Sequence, residues 1–212
     1  MKIDSRKKII KRILEISYKK KLSHIGSCIT AAPIIYDMFL EMGEHEKFIL
    51  SQGHAGLALY VVLEDFNLGY LDAEKLFDTM GTHPDRDNKY KEFIDCSTGS
   101  LGHGLPIALG MALSDRTKNV WCLTSDGELA EGSCYETANI MRKYDVKNLK
   151  VYVNWNGYGG YDRSIARKKD FDDVFKIVDT SKALKRFPSL DGLKGHYAKF
   201  TEADYQDAYN RV

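Results

Sequence analysis

Proline is scarce, with four in 212 residues, and no Pro-rich or Gly/Ser-rich tract interrupts the chain. With no linker signal, a single domain over residues 1–212 is expected. Long hydrophobic runs are missing too. The apolar stretches are short and broken by charge, which excludes a bilayer-crossing helix of about 20 apolar residues. The charged opening MKIDSRKKIIKR has no apolar signal core, so a cytoplasmic protein is expected. Neither sign of charge dominates: 31 Lys and Arg oppose 30 Asp and Glu, a formal net charge of +1. That leaves no broad basic field for nucleic acid. The cysteines stand at 28, 96, 122 and 134, with no Cys-x-x-Cys pair. Neither a zinc site nor a disulfide framework fits those spacings, and reduced, mostly buried thiols are expected.

What is present is an ordinary globular composition, 43% hydrophobic, patterned first for helices and then for strands. Ile9, Ile10, Ile13, Leu14 and Ile16 fall near helical spacing, with basic residues between them, which predicts an amphipathic helix over residues 5–21. Pro33 is placed to open a second helix reaching about residue 42. Residues 55–66 read as a third, and Asp72 as the cap of a fourth over 73–80. Val120-Trp121-Cys122-Leu123 then reads as a buried strand halted at Ser-Asp-Gly. Residues 131–143 read as a helix, and Val151-Tyr152-Val153 as a strand halted at Asn-Gly. Strand, helix, strand predicts an α/β fold: a mostly parallel sheet with helices on both faces. Ligands of such sheets bind beyond the carboxyl ends of the strands.

The sharpest local feature lies there. Ser125-Asp126-Gly127-Glu128 is followed by Asn156, 30 residues after Asp126. A carboxylate and an amide oxygen from adjacent strand ends suit a hard divalent cation that keeps positions for phosphate oxygens and water. Gly127 lets a backbone N–H approach a phosphate closely. Asp-Gly and Asn-Gly are also common turn dipeptides, and spacing alone leaves both readings open.

The span from Ser125 to Asn156 resembles the thiamine diphosphate signature, Gly-Asp-Gly followed at that distance by Asn. Ser125-Asp-Gly-Glu-Leu-Ala-Glu-Gly132 resembles its transketolase form. Four further blocks resemble that family in the same order: Ser23-His24-Ile25-Gly26, Leu50-Ser-Gln-Gly-His54, His83-Pro84-Asp85, and Ser97-Thr-Gly-Ser-Leu-Gly-His-Gly104 with Ala108-Leu-Gly-Met-Ala112. The resemblance therefore covers most of the chain.

It implies Mg2+ or Ca2+ held by the side chains of Asp126 and Asn156 and by the backbone carbonyl of Tyr158. It also implies thiamine diphosphate met by the Gly127 N–H and His54 at the diphosphate, and by Gly99 and Leu101 at the aminopyrimidine. Glu128 is grouped with these cofactor-binding residues, a structural role being its other reading. His24 and His83 match histidines that bond donor-sugar hydroxyls and move protons, work suited to imidazole near neutral pH. His103 lies beside the pyrimidine turn, where the family varies. Glu131 matches an acid that links two active sites; a first-turn glutamate favoured by the helix dipole is the alternative. Residues 188–205 resemble the end of split N-terminal subunits, and His196 matches a histidine reaching diphosphate and substrate.

The pattern departs in four places. Ser125 replaces a glycine. Gly160 stands where a bulky aliphatic residue props the bent cofactor. Residues 163–190 are shortened. The tryptophan and glycine that flank the family's late histidine are absent.

The implied function is two-carbon ketol transfer from a ketose to an aldose, phosphorylated or nucleotide-linked, by the N-terminal subunit of a split transketolase. The pyrimidine-binding domain is then expected on a partner chain in an α2β2 assembly, without which the chain is inactive. Alternatives are a 1-deoxyxylulose-5-phosphate synthase-like condensation, a 2-oxo acid dehydrogenase step, or a non-catalytic partner subunit. The His24, His54 and His83 set favours transketolase.

Overall fold

The computed structural model describes all residues except Met1, Leu68 and Gly69, with side chains from Asp4 onward. The helices are α1 (Lys2–Lys20), α2 (Ile25–Glu41), α3 (Gly56–Phe66), α4 (Ala73–Met80), α5 (Gly104–Ser114), α6 (Gly132–Tyr144), α7 (Lys194–Tyr197) and α8 (Glu202–Asn210). The strands are β1 (Lys47–Leu50), β2 (Val120–Ser125), β3 (Leu149–Trp155) and β4 (Lys176–Asp179). They form one parallel sheet in the order β1-β2-β3-β4.

Successive strand side chains point to opposite faces, and here each face has its own core. Phe48, Leu50, Trp121, Leu123 and Tyr152 pack with apolar side chains of α1, α2 and α3. Ile49, Val120, Cys122, Val151 and Val153 pack with those of α5 and α6 and with Phe171 and Phe175. Every residue of β2 is buried, which is why its sequence is a continuous apolar run rather than an alternating one. This is the α/β arrangement with helices on both faces.

The second helix corrects an expectation. α2 begins at Ile25, well ahead of Pro33, which lies inside it. Proline removes one helical N–H. α2 accommodates that loss because it is buried on most sides, with Ile25, Ile29, Ala32, Ile35 and Met38 all in the core. Asp72 caps α4 as expected, its carboxylate accepting from the Lys75 N–H at 3.0 Å. The cysteines are free: Cys28, Cys122 and Cys134 are buried and Cys96 half-buried. Burial pushes the Cys28 and Cys134 thiols up to about 12. Among the described residues no helix is long and apolar enough to cross a membrane.

Because the strands are parallel, β1, β2 and β3 all deliver their carboxyl ends to one side. There they run into Ser51-Gln52-Gly53, Asp126-Gly127 and Asn156-Gly157. The first turn of α2 and the short α7 join them. A Cβ on Gly26 would lie 2.8 Å from the Gly195 Cα, so only glycine lets α7 sit this close on α2.

Candidate functional site

A cavity of about 190 Å3 opens at those strand ends. His24 reaches it from the start of α2, and His54 from the turn after β1. Gly99 and Leu101 come from the turn before α5, Gly127 from the end of β2, Asn156 and Tyr158 from the end of β3, and His196 from α7. Eight sequence-predicted residues thus share one wall. Ser125, Gly159, Gly160 and Tyr197 complete it. Of these four, Gly159 and Tyr197 carried no sequence signal; the Tyr197 phenol donates to the Gly160 carbonyl. A larger groove of about 1090 Å3, bordered by charged residues such as Lys7, Arg12, Glu64 and Asp72, shares no residue with this cavity. The converging polar groups, not volume, mark the site.

The remaining predicted residues lie off the wall. His83 is exposed, and a Cβ on Gly99 would stand 3.2 Å from its ring, which sets it at the rim. Glu131 is exposed and precedes α6. His103 is exposed and does not line the cavity. Asp126 and Glu128 are fully buried behind it.

Asp126 organises the loop after β3. Its carboxylate accepts from the backbone N–H groups of Asn156 at 3.3 Å and Gly157 at 2.8 Å. Its carbonyl accepts from the Ser164 hydroxyl at 2.8 Å. The Asn156 side-chain oxygen accepts from the Tyr158 N–H at 2.8 Å, the local bond of an Asx turn. Gly157 has φ +89, which favours glycine. A Cβ on Gly127 would stand 3.3 Å from the Gly159 Cα and 3.5 Å from the Tyr158 carbonyl. The two turns therefore close on each other.

Burial raises the Asp126 carboxyl to about 6, even though backbone N–H groups favour its charged form. Among the described residues no cationic side chain bonds it. A buried carboxylate with only amide partners is a group that a cation would stabilise. Among the described residues no cluster of three or more His, Cys, Asp or Glu could hold a metal. The expected set is of another kind, with one carboxylate, one amide and one backbone carbonyl, and its oxygen-only chemistry fits a hard cation.

Glu128 differs. Its carboxylate accepts from the hydroxyls of Ser51 at 2.7 Å and Thr124 at 2.9 Å, and from the N–H groups of Gly102 at 3.1 Å and Ser125 at 3.2 Å. It ties together the ends of β1 and β2 and the turn carrying Gly99 and Leu101. Burial still pushes its carboxyl up.

Three imidazoles crowd together in the cavity lining. Ring centroids are 5.3 Å apart for His24 and His54, 6.0 Å for His24 and His196, and 6.2 Å for His54 and His196. Burial, and then the charges of the neighbouring histidines, push His54 down to about 3. The same causes lower His24 and His196. The neutral form, which burial favours in all three, has one nitrogen to donate and one to accept. His24 holds φ +59 in the left-handed region, and its N–H donates to the His196 carbonyl at 2.7 Å. Its Nδ1 is buried with no partner. Lys21, His45 and Asp145 share the left-handed conformation away from the cavity, so the buried Nδ1, rather than the backbone, sets His24 apart.

The family model described as transketolase, thiamine diphosphate binding domain, matches residues 9–177. A subunit of apulose-4-phosphate transketolase from Phocaeicola vulgatus is 33% identical over an alignment of 167 residues, with 69% of this chain and 57% of that protein covered. Human transketolase is 32% identical over an alignment of 157 residues, with 66% of this chain and 25% of that protein covered. This chain thus spans little more than half of the bacterial protein and a quarter of the human enzyme. The crystal structure of transketolase from Campylobacter jejuni superposes with a TM-score of 0.79 at 16% identity, covering 99% of this chain and 42% of that one. That likeness establishes the fold. Together with the family match, it follows that this chain belongs to the transketolase family, as a thiamine diphosphate-binding domain.

Proposed function

We propose that this chain is the diphosphate-binding subunit of a two-chain transketolase. It transfers a two-carbon ketol unit from a ketose to an aldose acceptor, phosphorylated or nucleotide-linked. The observation that carries the reading is the cavity that the interlocked Asp126 and Asn156 turns share with three histidines. When bound, thiamine diphosphate supplies the carbon nucleophile and electron sink.

The chain's own residues bind, orient and move protons. Asp126, Asn156 and the Tyr158 carbonyl hold Mg2+ or Ca2+. Gly127, His54 and His196 meet the diphosphate, while Gly99 and Leu101 meet the aminopyrimidine. His24, in the cavity wall, and His83, at the rim, bond the hydroxyls of the sugar and exchange protons with them. Glu128 keeps the Gly99 turn in register with both strand ends. Glu131, exposed ahead of α6, faces a partner subunit that carries the pyrimidine-binding domain in an α2β2 assembly. The enzyme works in the cytoplasm. The P. vulgatus relative is named as one subunit of its transketolase, which supports the two-chain form.

The test is reconstitution: this chain, a candidate partner, thiamine diphosphate, magnesium and a panel of ketose donors and aldose acceptors. Ketol transfer is expected only with both chains. Full activity from this chain alone, or an active pair containing Asp126→Ala, would refute the reading.

A further inference from the structure

His196 lies 169 residues beyond Ser27 in sequence, yet the Ser27 hydroxyl and the His196 Nδ1 are 3.3 Å apart in a buried contact. The approach is built. Gly26 and Gly195 let α7 press on the first turn of α2, and the His24 N–H fixes the His196 main chain through its carbonyl at 2.7 Å. Ser27 is 3% exposed and His196 9%. Among the described residues, His196 Nδ1 is the hydrogen-bonding partner within reach of the Ser27 hydroxyl.

We propose that Ser27 is a positioning residue which holds His196 in the Nε2-protonated form, so that the ring presents an N–H to a phosphoryl oxygen of the cofactor. The argument rests on satisfying buried groups. A neutral imidazole has one donor and one acceptor nitrogen. If Ser27 donates to Nδ1, both groups are satisfied, and the proton sits on Nε2, on the ring edge away from Ser27. The reverse arrangement, Nδ1–H donating to Ser27, leaves a buried hydroxyl proton without an acceptor. It would also turn a lone pair rather than a donor toward an anionic ligand. Burial lowers the proton affinity of His196 and so favours the neutral ring, the state in which this choice of tautomer matters. The ligand in this inference rests on the proposed function; the tautomer does not.

The experiment uses the full 212-residue chain labelled with 15N-histidine, with the His196 signals assigned by loss in His196→Gln. The wild type is expected to show a protonated Nε2 and a hydrogen-bonded, unprotonated Nδ1. Ser27→Ala is expected to move the Nδ1 signal to that of a free acceptor. Titration with magnesium thiamine diphosphate is expected to show Ser27→Ala binding about two- to tenfold more weakly, with no further loss when it is added to His196→Gln.

A wild-type His196 protonated at Nδ1 would overturn the proposal. So would an Nδ1 signal indifferent to Ser27→Ala, or an affinity loss that persists in the His196→Gln background. The wild-type spectrum decides the tautomer even if Ser27→Ala fails to fold. Wild-type protein that binds no cofactor even when reconstituted with its partner chain would refute the functional reading and leave the tautomer measurement standing.

Discussion

Asp126 and Glu128 are two residues apart, both fully buried, and placed in opposite circumstances. Glu128 accepts from two hydroxyls and two backbone N–H groups and stands behind the cavity. Asp126 has backbone amides for its carboxylate and lies under the loop that lines the cavity. Equal burial therefore does not mean equal role. A carboxylate surrounded by fixed donors is a joint, whereas one held by amides alone retains lone pairs and a charge that a cation can use.

Several substitutions would break or sharpen that contrast. The largest effect is expected from Asp126→Ala, which should lower magnesium-dependent cofactor affinity by at least about 100-fold. Calorimetric titration checks this, and the thermal melt of the metal-free chain should fall less than that of Glu128→Ala, because two donors rather than four lose their acceptor. Glu128→Ala should do the reverse. It leaves four donors without their acceptor and should cost about 2–4 kcal/mol of stability by urea unfolding. If Glu128→Ala instead left stability intact and abolished binding, the two roles would be exchanged. Gly195→Ala should cost about 1–3 kcal/mol, because its Cβ would stand 2.9 Å from the Leu190 carbonyl, and should shift the His196 NMR signals.

The wall of histidines gives a pH test. The folded-state affinity of His54 for protons is depressed to about 3, against about 6.5 in the unfolded chain. As pH falls below about 6.5 the unfolded state takes up a proton that the folded state refuses, so stability is complete above that pH and is lost progressively toward pH 3. Asp126 acts with the opposite sign. Its folded carboxyl is raised to about 6, so the folded state takes up its proton first, and stability is gained as pH falls through 6. Melting curves from pH 7.5 to 5 should therefore fall less steeply in His54→Gln than in the wild type, and more steeply in Asp126→Ala. The smallest effect is expected for Tyr197→Phe. It removes one exposed phenol contact with Gly160 and should change stability by no more than about 1 kcal/mol.

Much of the frame was legible from local pattern. α1, α3, α4 and α6 follow from apolar spacing and caps, and β2 and β3 from apolar runs stopped by glycine turns. Other elements were not legible, each for a physical reason. β1 is a four-residue strand whose Phe48-Ile49-Leu50 run is too short to separate from a helix segment. β4 is a short edge strand with only half-buried and exposed positions. α8 announces itself only through the Thr201 and Asp204 capping box, a short local signal with no strong apolar stripe behind it. The start of α2 was hidden by Pro33, because tertiary burial outweighed a single missing hydrogen bond.

The sequence by itself determined the strand ends, the Asp126 and Asn156 turns and the identity of the imidazoles, since each depends on neighbours within a few residues or on a motif of fixed spacing. Only the tertiary structure decided that Glu128 is a joint and Asp126 lies under the cavity loop, that His83 stands at the rim, and that Ser27 meets His196. Those outcomes turn on which donors reach a buried group from distant segments. That is settled by how α2, α7 and the sheet pack, through contacts that no local pattern encodes.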